Sequence, residues 1–193
     1  MDAFDGPGIS PDAASKIAWP EAGRASNGEK LTPAAVLVPL VFHDDGVTVL
    51  LTQRTANLNS HAGQISFPGG QWETTDRTPE DTALRETEEE IGVPRDHVEL
   101  VGRLTVHDTG TGFRVMPVVG LIAPPFPLDP DPTEVAEVFE VPLDHVLEPA
   151  NHRFETRIHR GSERQFCVMP YGDYYIWGLT ARLLLELSKR LRG

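Results

Sequence analysis

The sequence predicts an α/β (α+β) sandwich built on a mixed β-sheet, and three observations carry that reading. Apolar runs of strand length recur along most of the chain, separated by Gly, Pro, Asn and Asp clusters. Two stretches break that pattern: one opens at Thr78 with helix-start chemistry, and the other carries apolar residues at helical spacing from Ile176 onward. With 193 residues and one cysteine, the chain is long enough for a single core without disulfide staples.

Residues 1–30 are rich in Gly, Pro, Ala, Ser and Asp and are expected to form a flexible or loosely docked arm, leaving residues 31–193 as one domain. Residues 35–42 form a near-continuous apolar run, the pattern of a central strand, interrupted only by Pro39. His43-Asp44-Asp45-Gly46 supplies turn chemistry before a second strand at 47–52, so the pair is expected to be a hairpin. Residues 53–75 read as loop around a short extended piece at 64–67. Thr78 can cap a helix, Pro79 suits its first position, and Glu80 and Asp81 suit its positive end. That helix is predicted to run to about Ile91 and to stop at Gly92, with Pro94 behind it.

Strands are then expected at 98–106, 115–122 and 135–141, the last two separated by Pro124-Pro125 and Asp129-Pro130-Asp131-Pro132. A short helical turn at 143–147 precedes a second hairpin, 153–159 and 165–169, joined through Gly161 and carrying Cys167 as a buried structural thiol. A helix over 176–191 closes the domain.

A net charge of −12 argues against nucleic-acid or anionic-membrane partners, both of which require basic surface. The charge is uneven: residues 73–90 carry a local −6, and residues 151–193 a local +4. No run approaches the roughly 20 apolar residues of a membrane span. Residues 1–10 show neither a basic nor an apolar signal region, so a cytoplasmic location is expected.

The acidic segment centres on Arg85-Glu86-Thr87-Glu88-Glu89-Glu90-Ile91-Gly92. At about 100° per residue, Glu86, Glu89 and Glu90 share one helix face, Glu88 points elsewhere, and Arg85 lies one turn from Glu89. Carboxylates so arranged repel one another unless a counter-charge sits among them, and Mg²⁺ prefers oxygen ligands of this kind. A solvated acidic face is the competing account. Upstream, Phe67-Pro68-Gly69-Gly70 is a tight loop in which a glycine carbonyl can add one more oxygen ligand.

Gly70, Arg85, Glu86, Glu89, Glu90, Gly92 and Val93 together resemble the Nudix box, G-x5-E-x7-R-E-U-x-E-E-x-G-U with U apolar. Asp76 stands in place of the first Glu, the spacer from it to Arg85 is one residue longer, and Thr87 replaces an apolar residue. The longer spacer is a mark of the coenzyme A pyrophosphatase branch. Leu50-Leu51-Thr52-Gln53-Arg54, followed by His61-Ala62-Gly63-Gln64-Ile65-Ser66-Phe67-Pro68-Gly69-Gly70, is similar to that branch's upstream signature, with Thr55 for Ser/Ala and Asn59 for Arg. Residues 112–120, 134–143 and 176–182 also resemble the branch, so the likeness spans roughly residues 33–190.

The resemblance implies a Nudix α/β/α sandwich and metal-dependent hydrolysis of a nucleoside diphosphate derivative. In this branch that means coenzyme A, cleaved to 3′,5′-ADP and 4′-phosphopantetheine. It implies Mg²⁺ or Mn²⁺ held by Glu86, Glu89, Glu90 and the Gly70 carbonyl, with Arg85, Glu86 and Glu89 as the catalytic set. It places Arg54, His61, Gln64, Phe67 and Gly69 on the substrate side. Glu134, Glu137 and His107 are alternatives to Glu86 as general base, and a homodimer is expected. Phe113, Tyr174, Tyr175 and Trp177 are candidates for stacking on a base. Two other readings stand beside this one: a Nudix pyrophosphatase for ADP-ribose, a dinucleotide or a damaged dNTP, and a catalytically silent nucleotide sensor.

Overall fold

In chain order the strands and helices of the computed structural model begin with β1 (Thr32–His43), β2 (Gly46–Arg54), β3 (Ile65–Ser66), β4 (Gly69–Gln71) and α1 (Pro79–Ile91). They continue with β5 (Val98–Arg103), β6 (His107–Asp108), β7 (Phe113–Ile122), β8 (Val135–Pro142), α2 (Leu143–Leu147), β9 (Arg153–His159), β10 (Ser162–Val168) and α3 (Gly178–Arg192). The structure describes residues 28, 30–56, 62–159 and 162–193. The expected N-terminal arm, save residues 28 and 30, therefore lies outside the described residues, as do Asn59 and His61.

β1 is the spine of a mixed sheet. It runs parallel to β7 along one edge, while its other edge is shared by β4, at Ala34–Val36, and β2, from Leu40 onward, both antiparallel. Pro39 falls in the gap between those two partners. Leu37 donates its N–H to the Pro68 carbonyl on that edge, and strand alternation turns the Pro39 nitrogen the same way, where no ladder bond is lost. β3 and β8 extend the sheet from β2, and β5 and β6 extend it from β7.

α1 lies on one face over Ala35, Leu37, Val41 and Leu50, which pack with its own Ala83 and Ile91. α3 and α2 cover the other face, where Leu183, Leu184, Leu187 and Val146 meet Val38, Val49, Leu51 and Val141. This is the sandwich that the alternation of strand and helix patterns predicts. No helix among the described residues is long and apolar enough to cross a membrane.

α1 begins and ends where its cap chemistry says. Thr78 Oγ1 accepts from the Asp81 N–H at 3.2 Å, the Asp81 carboxylate accepts from the Thr78 N–H at 3.1 Å, and Gly92 closes the helix in the left-handed region at φ 72°. Thr87, where an apolar residue is expected, is fully buried and donates its hydroxyl to the Ala83 carbonyl at 2.6 Å, so its polarity is satisfied inside the helix. Arg103 of β5 clamps Glu80 in the first turn and fixes α1 across the sheet.

Several boundaries differ from expectation: β1, β2 and β7 run longer than their apolar cores, and β4 forms in a stretch expected to be loop. β5 ends at Arg103 because the Thr105 N–H leaves the ladder for the Glu186 carboxylate of α3, at 2.7 Å, before β6 rejoins β7. α3 starts at Gly178 and not at residue 176, because the Ile176 carbonyl is taken by the Met169 N–H and Trp177 is extended and bridges to Val168. β10 spans Ser162–Val168, ahead of the expected 165–169. Cys167 is buried as expected, and burial pushes its thiol pKa up.

Candidate functional site

Arg85 organises the acidic end of α1. Its Nε and Nη2 grip both oxygens of Asp76 at 3.2 and 3.0 Å, Nη1 donates to Glu86 at 3.0 Å and Glu89 at 2.8 Å, and Nη2 also reaches the Gln71 carbonyl at 2.9 Å. A planar five-donor guanidinium is suited to this, and its pKa is driven well above the ordinary value, chiefly by the Asp76 bond. Asp76 is only 7% exposed and also accepts from the Thr82 hydroxyl and the Glu73 N–H. Burial pushes the Asp76 carboxyl up, but the bonds from Arg85, Glu73 and Thr82 prevail and hold it below the usual range. The sequence comparison registers Asp76 as a departure from the box. Its work as the anchor of Arg85 depends on the turn at residues 72–78, which no helical periodicity reveals.

Gly70 and Glu86 occupy one another's space. A Cβ on Gly70 would sit 2.5 Å from the Glu86 carboxyl carbon, so any larger residue would push the end of this side chain aside. Gly70→Ala is therefore expected to leave the fold largely intact, as seen by circular dichroism, while displacing Glu86. Turnover should fall at least about 10-fold, a loss typical of disturbed ligand positioning. Wild-type turnover in Gly70→Ala would remove the case for this contact.

Glu90 is the most buried of the carboxylates, at 4% exposed. Its Oε2 accepts from the Gly69 N–H at 3.0 Å and its Oε1 meets Arg54 at 3.4 Å. Burial is the largest influence and raises its pKa, the Gly69 bond and Arg54 oppose, and Glu86 and Glu134 add repulsion, leaving it at about 7. Glu86 is raised in the same way, first by burial, against Arg85, with Glu89 and Glu134 adding to the rise. Glu89 is mostly exposed beyond its Arg85 contact, and Glu88 turns outward to Arg95, as the helix geometry predicts.

Arg54 reaches from the end of β2 to Glu90, and its second nitrogen lies 3.9 Å from Glu134. Its buried Nε has no hydrogen-bond partner among the described residues. Gly69, Gly70, Glu86, Glu89, Glu90, Arg54, Arg85 and Glu134 are thus brought to one place.

Other predicted site residues are not. Phe67 is expected on the substrate side, but its ring is 3% exposed and packs with Val38, Leu51 and α3, so it supports the glycine turn from inside the core. His107 is bound by Glu186 at 2.9 Å on the α3 face. Glu137 opposes Gln53 across the β2–β8 ladder and takes the Tyr174 hydroxyl at 2.7 Å, also on the α3 side. Neither meets the carboxylates of α1. Gln64 lines a cleft with Glu137 there, and Tyr174, Tyr175 and Trp177 line the same cleft.

Hard oxygen donors around a glycine carbonyl are the donor set a divalent cation prefers. Among the described residues no three such side chains are spaced to share one ion, because Arg85 holds Glu86 and Glu89 while Gly69 holds Glu90. The donors are assembled on one face, and each is held by a protein donor.

The NUDIX domain family model matches residues 31–161. "Uncharacterized Nudix hydrolase NudL" of Pectobacterium atrosepticum is 42% identical over 159 residues, covering 82% of each chain. The protein of that name from Cronobacter sakazakii is 39% identical over 172 residues, covering 89% of this chain and 88% of its own. Among solved structures, the Nudix domain of Shewanella oneidensis NrtR complexed with ADP ribose has a TM-score of 0.53 at 21% identity, covering 89% of this chain and 92% of that one. A Nudix hydrolase from M. smegmatis, RenU, has a TM-score of 0.53 at 24% identity, covering 64% of this chain and 80% of that one. At these identities the structural likeness speaks for the fold.

Proposed function

The chain belongs to the Nudix hydrolase family, and on that premise we propose that it cleaves the pyrophosphate bond of coenzyme A or its acyl derivatives, giving 3′,5′-ADP and (acyl-)4′-phosphopantetheine. Nudix hydrolases act on pyrophosphate-containing substrates and use divalent metal ions. The observation that carries the narrower reading is the contact between Arg54 and Glu90. It joins the upstream signature, which resembles that of the coenzyme A branch, to the box that all Nudix hydrolases share.

Glu86, Glu89, Glu90 and the Gly70 carbonyl are the groups that would hold Mg²⁺ or Mn²⁺. The bound cation would neutralise the pyrophosphate and lower the pKa of the attacking water. Arg85 positions Glu86 and Glu89, since its Nη1 touches both. Glu86, which stands in the box beside the Gly70 backbone, is the general-base candidate, and Glu134 beside Arg54 is the alternative on the same face. Arg54, with its free Nε, supplies the positive charge against the phosphates opposite the acidic helix.

A hydrolysis panel of coenzyme A, ADP-ribose, NADH and dNTPs with Mg²⁺ or Mn²⁺ tests the reading. Coenzyme A is expected to be the preferred substrate, and chelation with EDTA should abolish turnover until Mg²⁺ or Mn²⁺ is restored. Asn59 favours a second reading, because it removes a cation that the coenzyme A signature carries. Cleavage of ADP-ribose without cleavage of coenzyme A would establish that second reading. Turnover of nothing in the panel would leave a nucleotide-binding domain.

A further inference from the structure

A cavity of about 920 Å³, bordered by described residues, lies beside the carboxylates and not among them. The β2–β8 ladder explains the arrangement. Gln53 pairs with Glu137, the register then shifts, and Arg54 pairs with Val135. Strand alternation along β2 sends Arg54 to the α1 face, toward Glu90, and Gln53 to the α3 face, where Glu137 opposes it, the extra residue of the bulge falling in β8. The end of β2 therefore separates the acidic face from the cavity by a single peptide unit.

The cavity walls are fixed and chemically distinct from the carboxylate face. Tyr174 stacks on Phe139 with ring centroids 3.7 Å apart and donates its hydroxyl to Glu137 Oε1. Tyr175 is tied to Glu155 at 2.8 Å. Among the described residues, Glu137 Oε2 and the Gln53 amide have no hydrogen-bond partner. Among the described residues the lining holds Glu137 and Asp173 and no Lys, Arg or His. An acid-bearing cleft of this kind rejects a phosphate and accepts an uncharged chain that carries N–H or O–H donors. Its tyrosine and indole surfaces cover methylene groups.

We propose that this cleft is a second subsite that holds the uncharged, amide-bearing arm of the substrate. The Glu137 carboxylate accepts from an amide N–H, and Gln53 and Gln64 flank the chain. The inference rests on the coenzyme A reading. The pyrophosphate lies against the α1 carboxylates, the arm passes over the end of β2, and the anionic 3′-phosphoadenosine half stays outside the acidic cleft. Glu137 then serves as a specificity residue and not as a general base.

The test reads binding without turnover. Pantetheine, the arm without phosphate, is titrated into the metal-free full-length chain while the side-chain amides of Gln53 and Gln64 and the indole N–H of Trp177 are followed by NMR. All three signals are expected to move and saturate together. Glu137→Gln keeps an oxygen for the Tyr174 hydroxyl and turns the free acceptor into a donor, so pantetheine should bind about tenfold more weakly, the loss typical of a charged hydrogen bond. No movement, unchanged affinity in Glu137→Gln, or movement of these signals by adenosine in place of pantetheine would each overturn the subsite. The two readings also separate cleanly. Pantetheine binding here without coenzyme A hydrolysis sinks the reaction and keeps the subsite, and hydrolysis without pantetheine binding does the reverse.

Discussion

Glu90→Gln is expected to lose at least about 100-fold in turnover, as a direct ligand should lose at least what its supporting partners do, while the metal-free protein becomes more stable above pH 7. The stability gain follows from the position of Glu90 beneath Gly69 and Arg54, 4% exposed, with its pKa raised from 4.5 to about 7. A carboxyl whose folded pKa lies above its unfolded value binds protons more tightly in the folded state. Between pH 4.5 and 7 the metal-free wild type should therefore lose stability as pH rises, reaching a deficit of about 3 kcal/mol above pH 7. Glutamine carries no such charge, so denaturant titrations of the variant should lack that slope. Adding Mg²⁺ should stabilise the wild type at pH 8 and do little for Glu90→Gln, because only the ionised carboxylate gains from a cation. Equal turnover, or parallel pH–stability curves, would show that Glu90 neither bears the buried charge nor helps to hold the metal.

Arg85→Ala is expected to produce the largest loss of stability of any single change at the site, about 3–5 kcal/mol, because it strips the buried Asp76 of its counter-charge. Lysine should restore little, since one ammonium cannot grip both Asp76 oxygens and also reach the Gln71 carbonyl. The folded Asp76 carboxyl is held below 3.8, so its contribution is fully present above that value and fades as pH falls beneath it. The gap between wild type and Arg85→Ala should thus be widest near neutral pH and narrow in acid. Combining Arg85→Ala with Asp76→Ala should cost less than the sum of the two single changes, as measured by urea unfolding. Additivity would mean that the two residues are not coupled. Turnover should fall as well, because Glu86 and Glu89 lose the donor that positions them.

Both effects come from residues that the sequence presents in the same way. Glu90 and Arg85 stand out by their spacing on a helix whose cap residues, Thr78, Pro79 and Gly92, also fix its ends. Local chemistry decides such features, so they are legible in a window of a dozen residues. The strand runs on either side were legible for the same reason, although β5 stops early where Thr105 turns to Glu186 and α3 starts late where Ile176 and Trp177 bond to the chain before them. Each of those shifts is a long-range hydrogen bond that overrides a local pattern.

The sequence by itself determined the sandwich, the acidic helix face, the Gly69-Gly70 turn opposite it and the signature upstream. Only the tertiary structure decided how these parts are used. It set Asp76 under Arg85, closed Gly70 against Glu86, buried Phe67 in the core and sent His107 to Glu186. By strand alternation it also set Gln53 and Arg54 on opposite faces, so that the carboxylate face and an aromatic-lined acidic cleft share the end of a strand. The physical reason is that helix periodicity and capping act over a few residues. The pairing of β2 with β8 brings together residues more than eighty positions apart, and no local preference encodes the register at which they meet.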